Sequence, residues 1–254
     1  MTAARKRLAP GSARLLVIAG LLAAWELGAR LFGDPSFICP PSAAVLALGG
    51  LFADPKIVQA IGITVVEMLA AFVLAVGLGL AIGMLIGLQA FIKGAFLPIV
   101  LLLYAVPQAT LLPLFVLGFG IGPEAKIAFG VSQGIFPVIV STVSGVANLR
   151  PALLTAARSM GASRMQVFST IVFPHVVPSF FTGMRLGMTA VLLGVLLAEL
   201  YVSTAGIGFY TRLLAQSFNP PKLFALIAVL ATIAVTLNEL CRIAERRFSR
   251  WQHV

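Results

Sequence analysis

The side chains able to do chemistry are few in this chain, and they are scattered. The two cysteines, Cys39 and Cys241, and the two histidines, His175 and His253, lie far apart in sequence. None has the company of closely spaced ligands that a zinc site needs. No carboxylate dyad or nucleophile–base pair stands at a spacing that suggests a reaction. The phosphate-binding run Gly-x-x-x-x-Gly-Lys-Ser/Thr does not occur. No catalytic residue, no metal and no cofactor is therefore expected on this chain.

What remains are polar residues set singly inside apolar runs: Tyr104, Gln108 and Gln133, with Pro107 among them, and the ionisable Glu67, Arg185 and Glu199. Ionisable groups at membrane depth are costly, and are usually functional or paired. Glu199 falls near the outer end of its run. It reads either as a structural pair or as part of an outer gate or docking surface. Arg185 could attract an anionic solute, or could be a structural arginine near the inner surface. Glu67 is the main acid at mid-run.

These residues need elements to hold them. Hydrophobic residues make up 60% of the 254, charged residues only 10%, and the mean hydropathy is +1.05. Soluble domains carry about 25% charged residues, and this chain has too little polar surface to cover a soluble core. The expected class is an all-α, polytopic membrane protein. Six runs are long and apolar enough to span, each needing about 20 residues: about Arg14 to Phe32, Ile57 to Leu88, Phe96 to Leu117, Ala125 to Val146, Val176 to Leu200 and Leu223 to Ile243. The first follows a basic start and contains Trp25 and Glu26. It lacks a small-x-small cleavage site, so a retained helix is expected rather than a cleaved signal peptide.

The net charge of +10 could signal nucleic acid, but only if it gathered on one surface. Instead the cations sit at the ends of the runs. With the N-terminus inside, Arg5, Lys6, Arg7, Arg14, Lys93, Arg150, Arg158, Arg164, Arg242, Arg246, Arg247 and Arg250 are cytoplasmic. Only Arg30, Lys56, Lys126, Arg212 and Lys222 are outside. That bias puts both termini in the cytoplasm. Cys39 and Cys241 then fall on opposite sides and should not pair.

Two runs carry further signals. Gly79, Gly83 and Gly87 step by four residues, a spacing that lets a second helix approach closely; helix packing and pathway lining are both compatible with it. Pro98, Pro107 and Pro113 interrupt the third run. Each lacks a backbone donor, and the freed carbonyls must face protein or a watery cavity. Broken helices of this kind occur where transporters hold or gate a solute.

The one long cytoplasmic loop spans residues 147–174 and contains TAARSMGASRMQVFSTIVFP. Asn148 could cap a short helix with Pro151 in its first turn. Gly161 is placed to stop it. Ser163 and Gln166 form a capping-box pair for a second short helix, about Arg164 to Phe173, ended by Pro174. Thr155, Ala156, Ala157 and Met160 make a small-residue surface beside Gly161. It suits a groove on a protein partner or, equally, the membrane lipid surface with its arginines on phosphates.

This loop resembles the cytoplasmic signature of the permease subunits of bacterial binding-protein-dependent ABC importers: Glu-Ala-Ala, three residues, Gly, nine residues, Ile-x-Leu-Pro. Ala156, Ala157, Gly161, Ile171 and Pro174 match at the same spacing. Thr155 stands where glutamate is usual and Phe173 where leucine is. PSAAVLALGGLF, PQATLLPLFVLGFGIG, TVSGVANLRP, FTGMRLG and LLAELYVSTAGIGFY resemble the nitrate, sulfonate and taurine branch, over roughly Pro40 to Arg247. The resemblance implies a single permease domain over 1–254 with a type I importer fold in the bacterial inner membrane. It implies a second permease copy, commonly as a homodimer, and two cytoplasmic ATPase subunits that carry ATP and Mg. A periplasmic or lipid-anchored solute-binding protein would deliver nitrate, a sulfonate, taurine or a related solute. Thr155, Ala156, Ala157, Met160 and Gly161 would dock the ATPase, and Tyr104, Pro107, Gln108, Gln133, Arg185 and Glu199 are pathway or gate candidates. The alternatives are a self-sufficient secondary transporter or channel, which would need ion-coupling acids beyond Glu67, and a non-transporting scaffold.

Overall fold

A computed structural model describes residues 10–248. Arg5, Lys6, Arg7, Arg250 and His253, used above, lie outside the described residues. Every regular element among the described residues is helical. In order they are α1 (Pro10–Phe32), α2 (Pro41–Phe52), α3 (Pro55–Leu88), α4 (Ala90–Ala105), α5 (Leu112–Phe119), α6 (Pro123–Ala147), α7 (Pro151–Ser159), α8 (Arg164–Val167), α9 (Phe173–Val202), α10 (Ile207–Gln216) and α11 (Pro220–Phe248). Five helical stretches are long and apolar enough to cross a membrane, and α4 with α5 makes a sixth that is bent by 83°.

Proline mostly starts helices here. Pro41, Pro55, Pro123, Pro151 and Pro220 each open one, where a missing N–H costs nothing and the fixed φ already fits. The third apolar run is corrected accordingly. Pro98 lies within α4 and Pro113 in the first turn of α5, so the run breaks once, at Pro107.

The cytoplasmic loop also differs from expectation. Asn148 closes α6 by donating its N–H to Ser144 O at 3.0 Å, and the residue preceding α7 is Arg150, which gives no side-chain cap. The Ser163–Gln166 capping box is present. The helix it opens does not stop at Pro174. It runs through a π turn, Phe168–Val172, into α9, giving one continuous rod from Arg164 to Val202. Such a turn loosens the backbone ladder just where Pro174 cannot donate to it. Two helices go beyond the six apolar runs: α2, within PSAAVLALGGLF, and α10, which follows a glycine-containing turn.

The chain divides into two compact units. The first comprises residues 10–58 and 210–230. In it Glu26 of α1 accepts hydrogen bonds from Arg30 Nε at 2.6 Å, from Ser42 Oγ at 2.7 Å and from Ser42 N at 3.0 Å. The acid thus caps the first turn of α2 from a neighbouring helix, which the helix dipole favours. Trp25 packs on Phe224, and Phe37 on Phe218, with ring centroids 5.5 and 5.7 Å apart. Cys39 is buried between α1 and α2, and that burial pushes its thiol pKa above the usual 9.0.

The second unit comprises residues 59–209 and 231–248. Its centre is α6 against α9 and α3, and the contacts are made by small residues. A side chain at Gly134 would collide with Val191, and one at Gly187 would come within 2.9 Å of Gly134 O. Along α3, side chains at Gly79, Gly83 and Gly87 would run into Val138, Thr142 and Val146 of α6 at 2.7, 2.7 and 2.9 Å. The four-residue glycine ladder therefore faces a matching ladder on α6, and its geometry is that of helix packing. Met68, Ala71, Ala75, Val191 and Val195 form a fully buried cluster beside it.

Candidate functional site

The cytoplasmic end of the second unit carries the loop. Ala157 of α7 is turned inward and buried with Leu149, Val167, Val172 and Val176. Leu154 packs against the same cluster, so these two side chains seat the helix on the rest of the unit. Thr155, Ala156 and Met160 point out, and Met160 is 82% exposed. The helix ends in a Schellman motif. Ala162 N donates to Ala157 O at 3.1 Å, and Gly161 N to Arg158 O at 3.0 Å, with Gly161 at φ +80°. That left-handed conformation favours glycine, which has no side chain to clash. Nothing lies within 4 Å of where a Gly161 side chain would begin, so the constraint is on the backbone. The surface presented is small, uncharged at Thr155 and Ala156, and capped by a flexible thioether.

The broken run lies in the same unit. Pro107 O accepts from both Thr110 N at 3.0 Å and Thr110 Oγ1 at 2.7 Å, which meets the demand a broken membrane helix creates. Tyr104 stacks on Phe136 with centroids 5.8 Å apart. Gln108 is buried at the break, and its Oε1 has no hydrogen-bond partner. Gln133 is half-buried at the α6–α9 seam, against Gly194. Arg185 is tied across to α11 through Glu245 at 3.4 Å. Tyr104, Pro107 and Gln108 thus lie together at the break, with Tyr104 against α6 one turn from Gln133, while Arg185 is engaged with α11.

At the extracytoplasmic end, Glu199 is fully buried. Its Oε1 accepts from Thr64 Oγ1 at 2.7 Å and its Oε2 from Gly208 N at 2.8 Å. Thr64 Oγ1 in turn accepts from Ile207 N at 2.8 Å. Glu199 and Thr64 together therefore cap the first turn of α10, whose N–H groups would otherwise be orphaned. Gly206, at φ +103°, packs against the Glu199 carboxylate, where a side chain would collide with it. One turn along α3 from Thr64, Glu67 pairs with Lys126 of α6 at 2.5 Å, both about 5% exposed. Lys126, read as an outer-loop cation, is buried instead. Beside this pair lies an open cavity of about 620 Å³ lined by α3, the start of α6 and the turn before α10.

Residues 75–250 match the model of the family described as binding-protein-dependent transport system inner membrane component. The chain belongs to that family. It is a multi-pass permease subunit of the inner membrane. The permease is 32% identical over 240 residues to the taurine transport system permease protein TauC of Escherichia coli K12, covering 92% of this chain and 87% of that one. It is 28% identical to the putative aliphatic sulfonates transport permease protein SsuC of Bacillus subtilis 168, covering 94% and 87%. A 28% identity also relates it to the riboflavin transport system permease protein RibX of Chloroflexus aurantiacus, covering 91% and 87%. In fold the permease resembles a chain of the MetNI methionine ABC transporter in its inward-facing conformations. The TM-score is 0.64 at 18% identity, over 77% of this chain and 95% of that one. The fold is thus that of a type I ABC importer permease. Members of the family are not themselves enzymes, and they work with an ATPase and a solute-binding protein.

Proposed function

We propose that this permease forms, with a second copy of itself, the membrane pathway of an importer for taurine or a related small sulfonate. The observation that carries the reading is the 32% identity to the taurine permease over nearly the whole of both chains; the sulfonate relative agrees with it. ATP and Mg belong to two cytoplasmic ATPase subunits. The single domain spans 1–254, and its 147–174 loop couples to the ATPase. Thr155, Ala156 and Met160 meet the ATPase groove, Gly161 holds the turn that presents them, and Ala157 keeps α7 on the permease. Support for this comes from their exposure together on one short helix. A periplasmic or lipid-anchored binding protein delivers the solute at the other end.

Among the candidate pathway residues, Tyr104, Pro107 and Gln108 are the best placed, because the helix break leaves Gln108 Oε1 buried and unpaired. Arg185 and Glu199 serve structure, as a tie to α11 and a cap for α10. An ion-driven transporter is disfavoured by Glu67, whose charge is already matched by Lys126.

The test is uptake of labelled taurine and ethanesulfonate by proteoliposomes holding the permease, its ATPase and its binding protein. Uptake that needs both ATP and the binding protein is expected. Uptake driven by an ion gradient without ATP, or failure to move either sulfonate, overturns the reading.

A further inference from the structure

A second cavity, of about 410 Å³, lies where the cytoplasmic loop meets the end of a membrane span. One wall is Leu88, the last residue of α3, and the others come from α7, α8 and the π turn. The lining is apolar at Leu88, Leu154, Phe168 and Val172, and its two charged members are Arg158 and Arg164. Neither guanidinium has an acid partner among the described residues. The sequence offers none nearby, since no Asp or Glu occurs between Glu124 and Glu199. The cytoplasmic acids Glu239 and Glu245 are engaged by Arg242 and Arg185. Two positive charges beside an apolar wall therefore stand without a counter-charge from the chain itself.

The face of α7 that carries Arg158 points to the kind of anion. Arg158 follows Leu154 by four residues and so shares its side of the helix, the side seated on the permease. Ala156 and Met160 lie on the opposite side, which is the face offered to the ATPase. The cavity is thus between the loop and a span, and its volume falls within the roughly 300–1,000 Å³ of small-molecule sites. A guanidinium forks onto two phosphate oxygens, and basic residues at the inner leaflet attract anionic headgroups. A soluble phosphate would use the arginines and leave the apolar wall wet. A phosphodiester that carries acyl chains uses both. We propose that this cavity binds the headgroup of an anionic phospholipid of the inner leaflet, with Arg158 and Arg164 on its phosphate. Its glycerol and first methylenes lie on Leu88, Leu154 and Phe168. The lipid ties the loop to the end of α3 and leaves the docking face of α7 free.

The test measures binding of a fluorescent phosphatidylglycerol to the permease–ATPase complex in detergent. Saturable binding is expected, about tenfold tighter than that of phosphatidylcholine with the same chains. Arg158→Gln with Arg164→Gln should weaken it about 25-fold, fivefold for each arginine. Arg246→Gln with Arg247→Gln removes the same charge from an exposed helix end and should leave it unchanged. A photoreactive phosphatidylglycerol should crosslink to residues 154–172 of the unsubstituted complex, a result that needs no variant to fold. Equal affinity for the two lipids, an equal loss in both double variants, or crosslinks confined to other segments overturns the proposal. Displacement of the lipid by glycerol phosphate at equal concentration would make the occupant a soluble phosphate. Loss of the ATPase from the Arg158→Gln, Arg164→Gln complex would make it an acidic group of the ATPase. Either result overturns the lipid site. None of them touches the sulfonate reading, which the uptake measurement decides.

Discussion

Thr64 and Glu199, 135 residues apart in the chain, meet at 2.7 Å and between them hold the first turn of α10. Each side chain takes one backbone N–H of that turn, so the loss of either leaves a buried donor unmatched. Glu199→Ala and Thr64→Val should each lower stability by about 1–3 kcal/mol, read as a drop in melting temperature of the purified complex. The double variant should lose less than the sum, because the two groups act as one cap. Strict additivity would show that they act separately.

The Glu67–Lys126 pair should be hard to break and easy to replace. Removing one partner strands a buried charge, at a cost of roughly 3–5 kcal/mol. Lys126→Met alone should therefore reduce the yield of folded permease. Lys126→Met combined with Glu67→Leu should restore it, since a matched apolar pair avoids desolvation altogether. Yield and thermal stability of the three proteins check this.

Gly161→Val forces a β-branched residue into a left-handed conformation, at about 1–2 kcal/mol. The side chain itself meets open space, so the damage is confined to the turn that aims α7. Membrane insertion should be normal, while ATPase co-purification and ATP-dependent uptake fall together. Normal assembly and uptake would refute the docking role of this loop.

Much of this arrangement can be read from sequence, and the remainder has identifiable physical reasons for being hidden. The spans follow from apolar run length, and the capping box at Ser163 and Gln166 from residue type. Helix α2 has no polar face to mark it. Helix α10 begins behind Gly206, which reads only as a turn. Lys126 sits in the first turn of α6 and counts by position as an outer cation. Its burial depends on Glu67, 59 residues earlier, and the glutamate–threonine cap spans a still longer interval. Pairings between distant helices leave no periodicity in either segment. The π turn is equally silent, since FSTIV suits an α-helix as well.

The packing of α6 on α9 leads to another measurement. Gly134→Ala places a methyl group against Val191, and overpacking of this kind costs about 1–3 kcal/mol. Trimming Val191 to Ala in the same chain should recover part of the loss. Absence of any recovery would mean that the neighbouring Gly187 backbone, not Val191, sets the limit.

Cys39 offers a check on the first unit. Burial raises its thiol pKa above 9.0, so it stays protonated and weakly nucleophilic at neutral pH. Alkylation of the native complex should be slow at pH 7 and rise only above pH 9. Rapid labelling at pH 7 would show that the contact between α1 and α2 opens readily.

The unbroken rod from Arg164 to Val202 joins the loop to a membrane span without a joint. Helix α9 alone has 30 residues, about 45 Å at 1.5 Å each, enough to traverse the bilayer including its headgroups at about 40–45 Å. The nine residues before it, α8 and the π turn, extend the rod by roughly 13 Å on the side of the loop and form its pedestal. Helix α7 is fixed to that pedestal through Ala157 and its contacts with Val167 and Val172. It is thus tied to the same rod that enters the membrane as α9, so a displacement of α7 is passed directly to that span.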